Sequence, residues 1–246
     1  MLHPIIKKSE ELSSEELKQL HEINSLIFYQ SPENHIEKHH IKKTKPTFYL
    51  YKKDDKILAF QAFNLFFKKT PFYHKEIPII YICISYKNPK ADKYIKDYAK
   101  KSNLHFIKKQ LGIFWFFKPF LVSFITNNPK LLTRISKPFL THYPNYKTST
   151  PEEIYLFAKD YIKIQLKING NISRNLITTE EYYGKSPITE QWTLLYESKD
   201  QGQNEFFFKE DIVKHRNNQY FVGDKGALFL GFHCFRDSVK SLFKKN

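Results

Sequence analysis

Glycine is scarce in this chain, with seven residues in 246. That scarcity excludes the loops in which successive glycines let the backbone close around a phosphate. Neither a Walker run nor a Gly-x-Ser-x-Gly elbow occurs, so P-loop nucleotide hydrolysis and serine-hydrolase chemistry drop out. Cysteine is scarcer still. Cys83 and Cys234 make no disulfide framework, and both sit among apolar neighbours as reduced structural thiols do. Arginine supplies only four of the 40 basic residues (Arg134, Arg174, Arg216 and Arg236), although nucleic-acid interfaces favour its planar fork. Long apolar runs are missing too. The candidate, Leu111 to Ile125, covers 15 residues and is broken by Lys118 and Pro119, too short to span a bilayer. It reads as a buried element followed by a buried strand, with a membrane-surface role as the alternative. "MLHPIIKKSEELSSEE" has no apolar h-region, so no secretory signal is expected and a cytoplasmic location is.

What is present points to a folded protein. Hydrophobic residues make up 41 % and aromatics 17 %, too much for disorder, and the length suits one well-buried domain with an appended unit. The net charge of +15 has two readings. Lysines neutralise phosphates and release counterions, which suits nucleic acid. Equally, abundant Lys, Ile, Asn, Tyr and Phe is the profile an AT-rich genome imposes on any protein. Aromatics interleaved with lysine, as in "FYLYKK" and "FNLFFKKTPFYHK", suit base stacking beside phosphates, or simply the inner face of a strand.

The order of elements is legible. "HPIIKKS" reads as a short strand, and Ser13 to Glu16 as a capping box. Leu17, Leu20, Ile23 and Ile27 then predict a helix from Ser14 to Phe28. "SPENHIEKHH" predicts a second helix with Ser31 as cap and Pro32 at its first position. Two strands flank the polar turn Lys53 to Lys56, a hairpin. Ile77 to Tyr86 is an apolar run expected of a strand covered on both faces. Ala91, Tyr94, Ile95, Tyr98 and Ala99 predict an amphipathic helix with Lys93, Lys96, Lys100 and Lys101 on its wet face. The pattern leaves open whether it stops at Asn103 or runs on towards Gly112. "FLVSFIT" is a buried strand leading to a short helix opened by Asn-Pro, bearing Leu131, Leu132 and Ile135. Beyond Tyr146, Thr150 to Glu153 has capping-box spacing with Pro151 at the first helical position. The tail predicts a strand at "QWTLLYES", a short helix near "KEDIVKH" and a hairpin turning on Gly223 to Gly226. The fold class is α+β (α/β layered), with a first domain over 1–146 and a C-terminal α+β extension over 147–246, possibly on the same sheet.

"HIEKHH" places His35 and His39 four apart with Glu37 between, a spacing that suits a metal on a helix face. The order is not that of a zinc protease and no third ligand is evident, so a polar exposed face is expected, with no metal. Cys83, in mid-strand, is expected to pack rather than react. "GALFLGFHCFRDSVKSLFKKN" ends in a Lys-tipped amphipathic turn, expected to pack on its own core.

The order β, α, α, β, β, β, α, β, α over the first 146 residues resembles the GNAT acetyltransferase superfamily. "IIKKSEELSSEELKQLHEI" is similar to its opening strand and helix. "FYLYKKDDKILAFQAF" is similar to its second and third strands, and "FLVSFITNNPKLLTRISKPF" to its fifth strand and the helix after it. The resemblance implies a mixed, mainly antiparallel sheet flanked by helices, and acyl transfer from acyl-coenzyme A (acetyl-coenzyme A) to a small-molecule or peptide amine. It implies that the pantetheine pairs with the fourth strand around Ile82, Ile84 and Tyr86, where that strand splays from the fifth. The pyrophosphate would lie at the turn from Lys87 to Lys93, and Asn127 or Asn128 would border the thioester. Two departures stand out. Residues 87–93 contain no glycine and place Asp92 where a phosphate would approach, leaving Lys87, Lys90 and Lys93 as point charges. No tyrosine stands in the helix after the fifth strand, where Arg134 and Ile135 do, and Glu76 only precedes the fourth strand. The alternative is a non-catalytic GNAT-shaped protein holding a nucleic acid or a protein through its lysines. The general acid, the general base and the oligomeric state stay unassigned.

Overall fold

A computed structural model describes residues 2–27, 34–91, 95–178 and 186–234, side chains of Ile27, His74 and Ser186 excepted. Two units divide the chain. The first is Met1–Leu65 with Ile80–Trp115, the second Phe66–Ile79 with Phe116–Asn246.

In the first unit, β1 (Ile5–Lys8) runs antiparallel to β2 (Thr47–Lys53), with Ile6 opposite Tyr49. β2 turns into β3 (Lys56–Thr70) through Asp54 and Asp55, both left-handed at φ 48° and 61°. Paired positive φ values match the right-handed twist of a hairpin, and Asp tolerates them because its short side chain bonds locally. β4 (Tyr73–Lys87) follows. β3 and β4 are long enough to contribute residues to both units.

α1 (Ser14–Ile27) starts at the expected capping box. The Glu16 amide donates to Ser13 Oγ at 3.1 Å, and the Ser13 amide donates to Glu16 Oε2 at 2.8 Å. Glu16 also accepts from Lys7 Nζ at 2.9 Å and Lys52 Nζ at 2.7 Å. Burial alone would raise its pKa, but the hydrogen bonds from Lys52, the Ser13 amide and Lys7 win and bring it down to about 2. One carboxylate therefore ties α1 to β1 and β2. Glu16→Gln keeps the shape and loses the charge, and is expected to lower the unfolding free energy by about 2 kcal/mol in urea titration.

Ser31 and Pro32 lie outside the described residues. The helix they were expected to open is met as a π-turn (Glu37–Ile41) running into a short α2 (Lys42–Thr44). Its histidines correct the expectation of an exposed polar face. His35 and His40 are each only 3 % exposed, five apart, the spacing at which a π-turn brings residues to one side. The ring of His35 lies 4.7 Å from that of His39 and 5.6 Å from that of His40.

The helix after β4 also starts later than its periodicity implied. Pro89–Ala91 form a 3-10 turn, Asp97 is left-handed at φ 59°, and α3 is Tyr98–Leu111. The apolar face survives without a continuous helix: Ala91, Ile95 and Tyr98 pack with Tyr51 and Ala59. Tyr94, Lys93 and Asp92 lie outside the described residues. α3 ends at Gly112, whose φ of 85° needs a residue without a Cβ. The next residues are not the buried element expected. Ile113 is 73 % and Phe114 61 % exposed.

In the second unit, β5 (Phe120–Thr126) is buried at every position and leads to α4 (Pro129–Ser136). Asn128 caps α4, its Oδ1 accepting from the Leu131 amide at 2.9 Å, with Pro129 at the position where a missing amide costs nothing. β6 (Thr141–Tyr143) and α5 (Glu152–Ile164) follow. Pro151 stands at the N-cap of α5, one residue before the position expected for it, and no side chain caps that helix. The Tyr161 hydroxyl of α5 meets Ser123 Oγ of β5 at 2.6 Å, with Tyr161 fully buried.

Three predictions for the tail are corrected. "QWTLL" is no strand. Trp192–Tyr196 is a π-turn that buries Trp192 and Tyr196, four apart, and exposes Leu194 and Leu195 between them. β7 (Ile177–Thr178) and β8 (Ser186–Pro187) precede it, and the short helix is α6 (Gln201–Lys209), ending at the residue where it was expected to begin. "VKHR" is instead β9 (Val213–Arg216), paired with β10 (Gln219–Val222) across the left-handed Asn217 and Asn218. That Asn-Asn turn gives the hairpin, not Gly223 to Gly226. β10 pairs with β8 and β9, whereas β11 (Gly226–His233) pairs antiparallel with β5, β6 and β7. Gly231 of β11 has no room for a side chain, since a Cβ there would stand 2.6 Å from the Phe229 ring and 2.9 Å from that of Phe139. The C-terminal turn from Phe235 lies outside the described residues. No helix among the described residues is long and apolar enough to cross a membrane.

Candidate functional site

β4 is irregular where it nears the turn at Lys87. Cys83 directs Sγ to Asn64 Oδ1 at 2.8 Å and hydrogen-bonds Thr44, and Asn64 Nδ2 donates to the Thr44 carbonyl. Tyr86 sets its ring edge-on to Phe60 at 5.8 Å. Phe60 and Asn64, four apart on β3, share a face because side chains alternate along a strand. Ser85 points the other way, with Oγ 3.0 Å from the Tyr98 hydroxyl of α3. Cys83 and Tyr86 therefore sit on one face although three residues separate them in number. A period of two forbids that, so β4 holds one extra residue between them. Such a bulge takes its residue out of the hydrogen-bond ladder, and bulges concentrate beside active sites.

The polar groups around the bulge are few and ordered. Burial pushes the Tyr98 hydroxyl up to about 12, against the opposing pull of Ser85, so it stays protonated at neutral pH. Tyr51 bonds Ser102 Oγ at 2.8 Å, and Tyr49 meets His105 Nδ1 at 3.1 Å. Burial pushes the Cys83 thiol well above its ordinary range, which suits packing and not nucleophilic attack. Sequence reasoning passed over the Ser85–Tyr98 pair. Its one signal was a lone serine in an otherwise apolar run.

Of the predicted site residues, Ile82 and Ile84 are buried on β4, and Tyr86 and Lys87 are half-buried at its end. Lys90 is exposed in the 3-10 turn. Its amide donates to Asn88 Oδ1 and the Ala91 amide to the Asn88 carbonyl, each at 2.9 Å. Asn88 thus closes this turn on itself and engages two amides that a glycine loop would leave open. Lys93 lies outside the described residues. Asn127 and Asn128 belong to the second unit. Asn128 is committed to the α4 cap, and its Nδ2 donates to the Leu195 carbonyl at 3.0 Å. Asn127 is different: it is 4 % exposed and its Nδ2 has no hydrogen-bond partner among the described residues. Among the described residues no three His, Cys, Asp or Glu side chains are grouped to hold a metal ion.

No family model matches the chain, and no curated protein matches it in sequence. Among solved structures, a conserved protein of unknown function from Enterococcus faecalis V583, described as a probable N-acyltransferase, is 15 % identical with a TM-score of 0.39. The match covers 57 % of this chain and 32 % of that one, so the chain spans about a third of that protein's length. An acyl-CoA N-acyltransferase from Pseudomonas aeruginosa is 14 % identical over 63 % of this chain and 94 % of its own, with a TM-score of 0.38. Arabidopsis thaliana NAA60, solved with a bisubstrate analogue, is 14 % identical over 93 % and 98 % of the two chains, with a TM-score of 0.39. From β1 to α4 the strands and helices follow one another in the order β, α, α, β, β, β, α, β, α read from the sequence.

Proposed function

We propose that the protein is an acyl-coenzyme A-dependent N-acyltransferase, with residues 1–146 as the acyltransferase part. The observation that carries this is the bulge between Cys83 and Tyr86, immediately before the lysine turn, in a chain with the GNAT order of elements. A bulge frees backbone groups that an extended pantetheine can pair with, around Ile82, Ile84 and Tyr86. Lys87, Lys90 and Lys93 would hold the pyrophosphate as point charges, since Asn88 already engages the amides of Lys90 and Ala91.

In the reaction the amine nitrogen attacks the thioester carbonyl, the C–N bond forms and the C–S bond breaks. The amine proton leaves and the departing thiolate is protonated. No residue is assigned to either transfer. The acceptor is a small-molecule or peptide amine. Release of free coenzyme A thiol from acetyl-coenzyme A, measured with polyamines and with free N-terminal peptides, tests the reading. Lys87→Ala with Lys90→Ala is expected to raise KM for acetyl-coenzyme A about tenfold and to change kcat little, the loss of binding common to ground and transition state. If coenzyme binds yet no thiol appears with any amine, the protein is a binding member of the fold and not an enzyme.

A further inference from the structure

The lysine–aromatic stretch Phe63 to Lys75 was open to two readings, core strand or nucleic-acid contact, and the structure separates its parts. Phe63 is buried, whereas Phe67 is 57 % and Phe72 44 % exposed. The second unit carries an open groove of about 820 Å³ between the β3–β4 turn and α5. That volume lies within the range of ligand sites. We infer that this groove binds the phosphate backbone of a short single-stranded oligonucleotide.

Four lysines line it, Lys68 and Lys69 from the end of β3 and Lys159 and Lys163 from one face of α5. Lys68 is held by Asp160 at 3.4 Å. The other three pair with no carboxylate among the described residues, and Glu76 is the one further acid on the wall. The second observation is independent of charge. Thr70 lines the groove and is 6 % exposed, yet its Oγ1 has no hydrogen-bond partner among the described residues. A buried hydroxyl left unsatisfied is costly, and a phosphate oxygen is the acceptor its lysine neighbours would bring. The groove is several times the size of one phosphate, so a chain of phosphates fills it better than a lone ion. Phe72, at the turn beside Pro71, packs edge-on against Phe232 at 4.5 Å yet keeps 44 % of its surface exposed, a π-face for a base that extends past the groove.

The test is fluorescence anisotropy of a labelled oligo-uridine on the full chain, without coenzyme, over a range of salt. Thr70→Val leaves the charge unchanged and is expected to weaken binding about fivefold. Lys159→Ala with Lys163→Ala is expected to weaken it at least tenfold and to reduce the salt slope by roughly 1.4, near 0.7 per phosphate contact. Lys96→Ala with Lys100→Ala removes equal charge from the first unit and is expected to change affinity less than twofold. Three results would overturn the inference: equal losses from both lysine pairs with none from Thr70→Val, no oligonucleotide binding at low salt, or inorganic tripolyphosphate or poly-glutamate binding where oligo-uridine does not. None of them bears on thiol release, so this inference and the acyltransferase reading fail separately.

Discussion

Lowering the pH from 7 to 4 is expected to remove about 3 kcal/mol of stability through His35 alone. Burial, then the neighbouring His39 and His21, hold His35 near 4, and burial, with His35, His39 and Lys43, holds His40 well below its ordinary value. The sign follows from the direction. Both imidazoles are kept neutral in the fold, while an unfolded chain takes up their protons near pH 6.5. Their contribution is therefore complete above about 6.5 and is lost as the pH falls towards the folded value of about 4 for His35, and further for His40. His21, which pairs with Glu37, adds to the downward push on His35. Glu16 acts in a lower window. Its folded value of about 2 against 4.5 means its stabilisation is lost only as the pH falls from 4.5 towards 2. Urea midpoints at half-unit steps of pH would show two successive declines. His35→Asn with His40→Asn should flatten the first and leave the second. A single decline beginning below pH 4.5 would mean that the histidines are not held neutral.

Phe63→Ala is expected to cost about 3–5 kcal/mol, a large share of the 5–15 kcal/mol by which domains are stable. Phe63 is 1 % exposed, stacks on Phe106 of α3 at 4.5 Å with an interplanar angle of 13°, and meets Tyr49 edge-on at 5.3 Å. It joins α3 to the sheet of the first unit. Deletion of the ring leaves a cavity that two other rings cannot close, whereas Phe63→Leu retains most of the volume and should cost about 1–1.5 kcal/mol. Denaturant unfolding of both variants checks this. Costs that are equal for the two would show that α3 is not packed on β3 through this ring.

The residues that announced their structure did so by local chemistry. Ser13 and Glu16 close a capping box within one turn, and Asn128-Pro129 starts α4 by the same kind of short-range bonding, so each was readable in place. The paired aspartates of the first hairpin were equally local. Elsewhere a local rule met a competing one. "QWTLLYES" alternates like a strand, but its large rings at 192 and 196 bury at helical spacing. Gly223 and Gly226 suggested a hairpin turn, while Asn217 and Asn218 took the left-handed positions and closed β9 on β10; the strands flanking Gly223 to Gly226, β10 and β11, belong to different sheets. The histidines were misread because a π-turn brings residues five apart, His35 and His40, to one side, where a helix period of 3.6 would not. At the candidate site, the apolar run of β4 and its lysine turn were legible, but the bulge was not. It shows only through which faces Asn64, Phe60 and Tyr98 present to Cys83, Tyr86 and Ser85, partners distant in the chain. The unsatisfied Nδ2 of Asn127 was invisible for the same reason.

The account stands most directly on whether the chain binds acyl-coenzyme A. Thermal unfolding of the full chain with acetyl-coenzyme A, titrated to 100 times the apparent Kd, is predicted to show stabilisation by about 2.7 kcal/mol, roughly 5–10 °C in Tm for a protein of this size. Lys87→Ala with Lys90→Ala should raise the concentration needed for half that shift. An unchanged Tm at millimolar acetyl-coenzyme A would contradict the account and leave the bulge in β4 without a ligand.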